Sequence, residues 1–394
     1  MSPLRGHWSL DPTITFLNHG SFGACPTQVL EAQSALRARM EAQPVRFLVR
    51  ELEPLLDAAR EELARFVGAD PSELVFVPNA TYGVNSVLRS LRLAPGEELL
   101  TTNQEYNASR NALEFVAQQS GARVVVAQVP FPLQHPDQVM EAILAAVTPR
   151  TRLLLVDHVT SQTGLIFPIE RLVRELDQRG IDTLVDGAHG PGMVPLQLRQ
   201  LGAAYYTGNL HKWVCAPKGA ALLHVRADRQ ERIRPLAISH GANSPRTDRS
   251  RFWVEFDWTG TSDPTAVLCV PQALRTVGGM LPGGWEAVMA HNRSTVLDGR
   301  NLLCQALGIA SPAPDSMIGA LAAVPLPEGS GHFSALSIDP LQDALLFQEQ
   351  IEVPIVPWPR PPARLLRISA QLYNTPQEYQ RLAEVLPRLL AQEL

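Results

Sequence analysis

Thr183-Leu-Val-Asp186-Gly-Ala-His189 and, a little further on, Tyr206-Thr-Gly-Asn209-Leu-His211-Lys212-Trp213 decide how this chain folds. The first is a short apolar run closed by an aspartate. The second leads to a lysine flanked by Leu210, Trp213, Val214 and Cys215. An Asp at the carboxyl end of a buried strand faces the crevice where open α/β sheets bind ligands. Outward from these stretches the pattern repeats. Leu74–Val77, Glu98–Thr101, Val124–Val129, Leu153–Val156, Ala203–Thr207 and Ala220–Val225 read as further strands. Tyr82–Leu91, Ser109–Gln119 and Ile169–Arg179 have helical spacing, as do 26–43 and 49–67, with Pro44 at the break. This alternation predicts an α/β domain, a mostly parallel sheet between helices, over 20–280.

After about residue 250 the pattern changes. Pro264–Val277 is predicted as a helix, Gly278–Gly284 as a break and Trp285–Leu307 as a long helix. Short strands at Gly319–Val324, His332–Ile338 and Leu366–Ile368 precede a last helix, Pro376–Gln392. A smaller α+β C-terminal domain, 281–394, follows from this; the segment 1–19 could belong to either part.

The chain has 394 residues, 45% hydrophobic and 19% charged, enough for a large core. A net charge of −5 without a basic run argues against nucleic acid or an anionic membrane as partner. No apolar stretch approaches the roughly 20 residues of a membrane span. The N-terminus lacks a signal pattern. Cys25, Cys215, Cys269 and Cys304 stand apart, so neither a disulfide framework nor a metal site is expected, and a cytoplasmic location fits.

A lone Asp in such a position is most often a turn or cap residue, and a lone lysine a surface one. Together at the ends of successive strands they have a chemical purpose. A buried lysine can hold an aldehyde as a Schiff base, and a carboxylate can keep a pyridine nitrogen protonated. That combination implies pyridoxal 5'-phosphate (PLP). His189 could then meet the ring oxygen, and Asn79-Ala80-Thr81, between a strand and a helix, could cup a phosphate. As alternatives, His189 is a satisfied turn histidine, Asn79 or Thr81 an ordinary helix cap, and His211 structural support. Tyr106 could stack on the ring or be a core aromatic. Arg367, a charge inside the apolar run Leu366-Arg-Ile368, needs a substrate carboxylate or a salt bridge.

Leu17-Asn18-His19-Gly20-Ser21-Phe22-Gly23, Asn79-Ala80-Thr81, Asp157-His158-Val159-Thr160-Ser161, Asp186-Gly-Ala-His189, Gly208-Asn209-Leu-His211-Lys212-Trp213, Trp258-Thr-Gly-Thr261-Ser-Asp263 and Arg367-Ile368-Ser369-Ala370-Gln371-Leu372-Tyr373-Asn374 run in order along nearly the whole chain. In these blocks it resembles the class V aminotransferase family of fold-type I PLP enzymes, in particular the isopenicillin N epimerase-like branch. The resemblance implies that Lys212 is the Schiff-base lysine, Asp186 the partner of the ring nitrogen and His189 that of the ring oxygen. It implies Ala80, Thr81, Asn209 and His211 around the cofactor, Tyr106 as the stacking residue, and Arg367 and Asn18 toward an amino-acid substrate. Thr261 would reach across from a second subunit, so a homodimer with shared sites is implied.

The resemblance also extends to cysteine desulfurases, which need a nucleophilic cysteine on a late loop. Nothing after Cys304 can supply one, so persulfide chemistry is disfavoured. What remains is an enzyme acting at the α-carbon of an amino acid or a molecule containing one. Epimerisation comes first, with a C–S β-lyase or an aminotransferase as alternatives, and a non-catalytic PLP-fold binding protein as an alternative of another class. Epimerisation requires an acid on the far face, for which His19, Tyr106, His240 and His332 are candidates.

Overall fold

The structure, a computed structural model, describes residues 2–329 and 338–393. The strands in chain order are β1 (Thr15–Phe16), β2 (Leu74–Val77), β3 (Glu98–Thr102), β4 (Arg123–Ala127), β5 (Thr151–Asp157), β6 (Asp182–Asp186), β7 (Tyr205–Asn209), β8 (Ala221–Val225), β9 (Leu321–Leu326), β10 (Ile351–Glu352), β11 (Ile355–Pro357) and β12 (Arg364–Ser369). Seven form the main sheet in the order β2-β8-β7-β6-β5-β3-β4. β8 alone runs against its neighbours. The predicted α/β fold class is therefore observed.

The apolar runs have two-sided burial because side chains alternate across a strand. Leu154, Val156, Val185, Tyr206 and Leu222 enter one core; Leu153, Leu155, Leu184, Tyr205 and Leu223 enter the other. Each fully buried valine or leucine contributes about 1.5–3 kcal/mol, so the register of these central strands is strongly fixed.

Some boundaries differ from expectation. The break falls at Pro44 as expected, between Thr27–Ala42 and the next helix, but that helix starts at the proline itself: Pro44–Arg46 runs through a wider turn, Phe47–Glu51, into Leu52–Val67. A proline costs nothing in the first helical turn, where its missing N–H has no partner to lose. The predicted helix Pro264–Val277 is two helices, Thr265–Leu268 and Val270–Gly278, because Pro271 cannot donate to the preceding turn. The predicted strand His332–Ile338 falls, except for Ile338, outside the described residues.

β9, β11 and β12 form a second, antiparallel sheet, β12 in the middle. The helices Gly284–Leu307 and Pro376–Gln392 pack together beside it. Gly299 lets them meet, since a Cβ there would lie 2.5 Å from the Tyr379 ring. The N-terminal segment is tied to this part of the molecule. β1 pairs with β10, and the Leu17 carbonyl accepts from both the N–H and the hydroxyl of Ser369. These bonds carry Asn18–Ser21 toward Arg367.

Candidate active site

β3, β5, β6 and β7 all point their carboxyl ends at one crevice, where the strand order reverses between β5 and β3. That is where the doubly wound geometry leaves room for a ligand. Asp186 ends β6 and Asp157, its register partner, ends β5. Both are buried. The turn Asp186-Gly-Ala-His189 closes over the Tyr206 ring; a Cβ on Gly187 would lie 2.2 Å from that ring, so only glycine fits. The Tyr206 hydroxyl is in turn held 3.0 Å from His158 Nδ1.

Asp186 accepts from the Ser109 hydroxyl at 2.8 Å and from the Ala188 N–H at 3.0 Å. No arginine or lysine is hydrogen-bonded to it among the described residues. Burial raises its pKa; Ser109, Ala188 and the nearby Lys212 charge work against that. Glu105 and Asp157 lie so close that one oxygen of each of the three carboxyls falls within 4.8 Å of the others. Burial and mutual repulsion push Glu105 and Asp157 well above the usual carboxylate range. Glu105 accepts from the Thr101 hydroxyl, and the Tyr106 N–H bears on both Glu105 and Asp157, but Asp157 Oδ2 and Glu105 Oε1 have no partner, and the upward push on these two is stronger than on Asp186. The negative charge therefore concentrates on Asp186.

Lys212 follows β7, and its Nζ lies 3.0 Å from His189 Nε2. Burial, with the Arg367 charge, lowers the amine to about 7. His189 is also held neutral, well below its ordinary value, mainly by burial and by Lys212. The Lys212 backbone is fixed from below: His19 Nε2 sits 3.0 Å from the Lys212 carbonyl, while Tyr373 bonds His19 Nδ1 at 2.7 Å. Gly23, at φ +73°, lets the N-terminal segment press on this turn; a Cβ there would lie 2.3 Å from the His211 carbonyl.

At the phosphate-cup position, Asn79 caps the helix Ala80–Ser90 through the Tyr82 N–H at 2.8 Å. Asn209 Oδ1 accepts from the Ala80 N–H at 2.8 Å, which ties the end of β7 to that helix start. Thr81 is half-buried beside it. Tyr106, 42% exposed, immediately precedes the helix Asn107–Ser120. The His211 ring is turned to the Ala220 carbonyl, 3.1 Å away. Thr261 is exposed, two residues from Asp263, whose carboxylate pairs with Arg37 at 2.7 Å. No hydrogen bond within this chain joins Thr261 to Ala80, Thr81 or Asn209.

Arg367 has no carboxylate partner among the described residues. Nη1 donates to the Ser161 carbonyl at 2.6 Å and Nη2 to the Ser21 hydroxyl at 2.8 Å, and Nε is unpartnered. Ser21 in turn donates to Asn18 Oδ1 at 2.6 Å, and Asn18 donates to Glu352 at 3.0 Å. Asn18 thus acts on Arg367 through Ser21. A buried guanidinium without an anion, lowered to about 10 by burial, is what a substrate carboxylate would satisfy.

Sequence patterns missed Ser109, Glu105, Asp157, Ser21 and Ser161 as site residues, although Ser21, Asp157 and Ser161 lie in the blocks that carried the resemblance. Ser109 and Glu105 gave no local signal: they matter only because the helix Asn107–Ser120 starts over β6. Arginines dispersed in sequence also gather at the opposite end of the strands, around a concavity of about 1360 Å³ that includes Arg89, Arg92, Arg152, Arg229, Arg232 and Arg234. Several are paired with Glu97, Asp182 and Glu255. It holds no lysine–carboxylate constellation, so size does not mark the reactive site here.

The residues fit PLP. A dry carboxylate without a cationic partner, a neutral buried amine and a helix start with a free hydroxyl each match one end of the cofactor. A neutral amine is what attacks an aldehyde, and protonated Lys212 is inert. The cofactor-free protein is therefore expected to take up PLP at a rate that rises about tenfold per pH unit below about 7 and levels above it. Stopped-flow absorbance across that range checks this; a rate still climbing steeply above pH 9 would mean an unshifted lysine.

The profile of the class-V aminotransferase family matches residues 17–295. The chain is 40% identical to isopenicillin N epimerase of Amycolatopsis lactamdurans, over 98% of this chain and 97% of that protein. It is 31% identical to a probable chloroplastic L-cysteine desulfhydrase of Arabidopsis thaliana, over 96% and 84%. Among solved structures, a C-DES mutant with glycine covalently linked to its PLP cofactor superposes with a TM-score of 0.80 at 21% identity, covering 99% of each chain.

Proposed function

The chain belongs to the class-V aminotransferase family, and from that premise we propose that it is a PLP-dependent epimerase of an amino acid or amino-acid-containing substrate. The observation that carries the chemistry is Lys212, Asp186, His189 and Arg367 converging on one crevice. The similarity to isopenicillin N epimerases, 40% and 36% identical over 98% of the chain, favours epimerisation among the outcomes open to such a site.

Lys212 would carry the cofactor, Asp186 would hold its ring nitrogen and His189 its ring oxygen. Ala80, Thr81 and Asn209 would hold the phosphate, with Tyr106 over the ring. When bound, PLP supplies an aldehyde for the substrate amine and a protonated ring that takes up the electron pair left at the α-carbon. Arg367 binds the substrate carboxylate, its fork aimed by Ser21 and Ser161. Lys212 Nζ, once free of the cofactor, removes the α-proton; its neutrality near pH 7 suits it to that task. Return of a proton from the opposite side inverts the centre. His19 is not the acid for that step: it is fully buried and both its nitrogens are engaged. His240 sits on an exposed turn against the helix Arg251–Phe256, and His332 is outside the described residues. Among the described residues, Tyr106 is the candidate that remains.

A β-lyase reading stays second because of the 31% identity to the probable desulfhydrase. A persulfide mechanism is disfavoured: all four cysteines are buried, and burial pushes the thiols up, to about 12 for Cys25 and about 11 for Cys269. The free cysteines suit a reducing cytoplasm. No helix among the described residues is long and apolar enough to cross a membrane. The exposed position of Thr261 supports a homodimer in which each subunit completes the other's phosphate site; removing Thr261 should then weaken PLP binding.

The test is a panel of L-amino acids and short peptides in deuterated water. Exchange of the α-proton with inversion supports the proposal; pyruvate with sulfide points to a lyase, and pyridoxamine phosphate to an aminotransferase. Arg367→Met should lower kcat/KM about 10²–10³-fold, since breaking a buried charge pair costs about 3–5 kcal/mol with part of that regained from solvent. Steady-state kinetics with the substrate so found would show it; an unchanged KM and kcat would remove Arg367 from carboxylate binding.

A further inference from the structure

Trp213, next to the lysine, is buried, and its indole nitrogen lies 3.2 Å from His189 Nδ1. An indole N–H can only donate. Nδ1 must therefore be the bare, accepting nitrogen of a neutral imidazole. The ring's one proton is then on Nε2, the nitrogen 3.0 Å from Lys212 Nζ. We propose that Trp213 is a positioning residue that locks His189 in the Nε2–H tautomer, so that His189 always presents a donor to the centre of the active site. The inference rests on the PLP reading above for its consequence, but the tautomer itself does not.

Three features point the same way. An imidazolium would carry a proton on Nδ1, facing the indole N–H donor to donor, so Trp213 opposes protonation as well as the wrong tautomer. The surroundings agree: burial and the Lys212 and Arg367 charges hold His189 neutral. Besides Trp213, only Lys212 is hydrogen-bonded to the His189 ring among the described residues, and a neutral amine can donate or accept, so without Trp213 nothing fixes which nitrogen keeps the proton. Finally, the Trp213 ring is itself wedged, its centroid 4.9 Å from that of His19 and 6.4 Å from that of His189. Donor toward the site and acceptor toward Trp213 is also the pattern that a ring oxygen at the Lys212 end would need.

The test uses the full-length protein as purified, with ¹⁵N-labelled histidine. The His189 signal, identified by its loss in His189→Gln, should show the proton on Nε2 and a bare Nδ1 across pH 8–9, where the Lys212 amine is neutral and can accept from it. In Trp213→Phe, which keeps the apolar bulk, both nitrogens should share it. In the PLP-loaded enzyme Trp213→Phe should lower α-proton exchange about tenfold with KM changed by less than about twofold, the loss of one hydrogen bond of about 1.4 kcal/mol. It should also shift the pH midpoint of the visible cofactor band. Placed on a His189→Gln background, the same substitution should do neither, because an amide has no tautomer to choose. A packing role for Trp213 would instead lower activity equally in both backgrounds, and that would overturn the proposal. So would a wild-type spectrum with the proton on Nδ1. If PLP never binds, the function proposed above fails while the ¹⁵N result still decides the tautomer.

Discussion

Lys212→Ala is expected to reduce α-proton exchange by at least about 10⁴-fold and to erase the visible absorbance of the tethered cofactor. Two separate roles are lost with one amine. A well-placed general base contributes about 10²–10⁴-fold, and the covalent tether to the aldehyde goes as well. No second amine can substitute: Lys218, the other lysine of the segment, donates to the Gly23 carbonyl at 2.8 Å. The fold should survive, because the aliphatic stem is packed but the amine gains only one hydrogen bond, to His189. Spectra and exchange rates of the purified variant measure both losses. Exchange within tenfold of wild type would show that the chemistry does not run through Lys212.

Asp186→Asn is expected to lower the same rate about 10²–10⁴-fold while Asp157→Asn, one strand away, changes it by less than about tenfold. The two substitutions are chemically identical, and the difference lies in charge. Burial, Glu105 and Asp186 itself keep Asp157 protonated, so an amide there replaces one neutral group by another. Asp186 is the carboxyl with donors from Ser109 and Ala188, and it would lose a buried partnership with the ring nitrogen. Breaking such a pair costs about 3–5 kcal/mol, and each 1.4 kcal/mol is a factor of about ten. Side-by-side kinetics of the two variants provide the check. Equal losses would mean that the three carboxyls share the charge rather than leaving it on Asp186.

The alternation of strands and helices was legible because burial on both faces demands unbroken apolar runs such as Leu153–Val156. Asp186 and Lys212 were legible for a related reason: a strand leaving the core must change character abruptly, and these polar residues stand at that change. Arg367 was half legible. A charge inside an apolar strand announced a partner, but whether that partner was a carboxylate depended on Ser21 and Ser161, more than two hundred residues from it in one case and at the other end of the chain in the other. His19 could be mistaken for a far-face acid, because nothing in its neighbours reveals that Tyr373 and the Lys212 carbonyl occupy both its nitrogens.

By itself, then, the sequence determined the sheet, the family blocks and the pair of residues that need each other, since hydrophobic periodicity and strand ends are local properties. Only the tertiary structure decided the electrical state of the site. It set Asp157 beside Asp186 through strand register, brought Glu105 from the turn after β3 and Ser109 from the helix that follows it, and aimed Trp213 at His189. Charge and protonation depend on burial and on neighbours in space, and those are fixed only once distant segments have packed together.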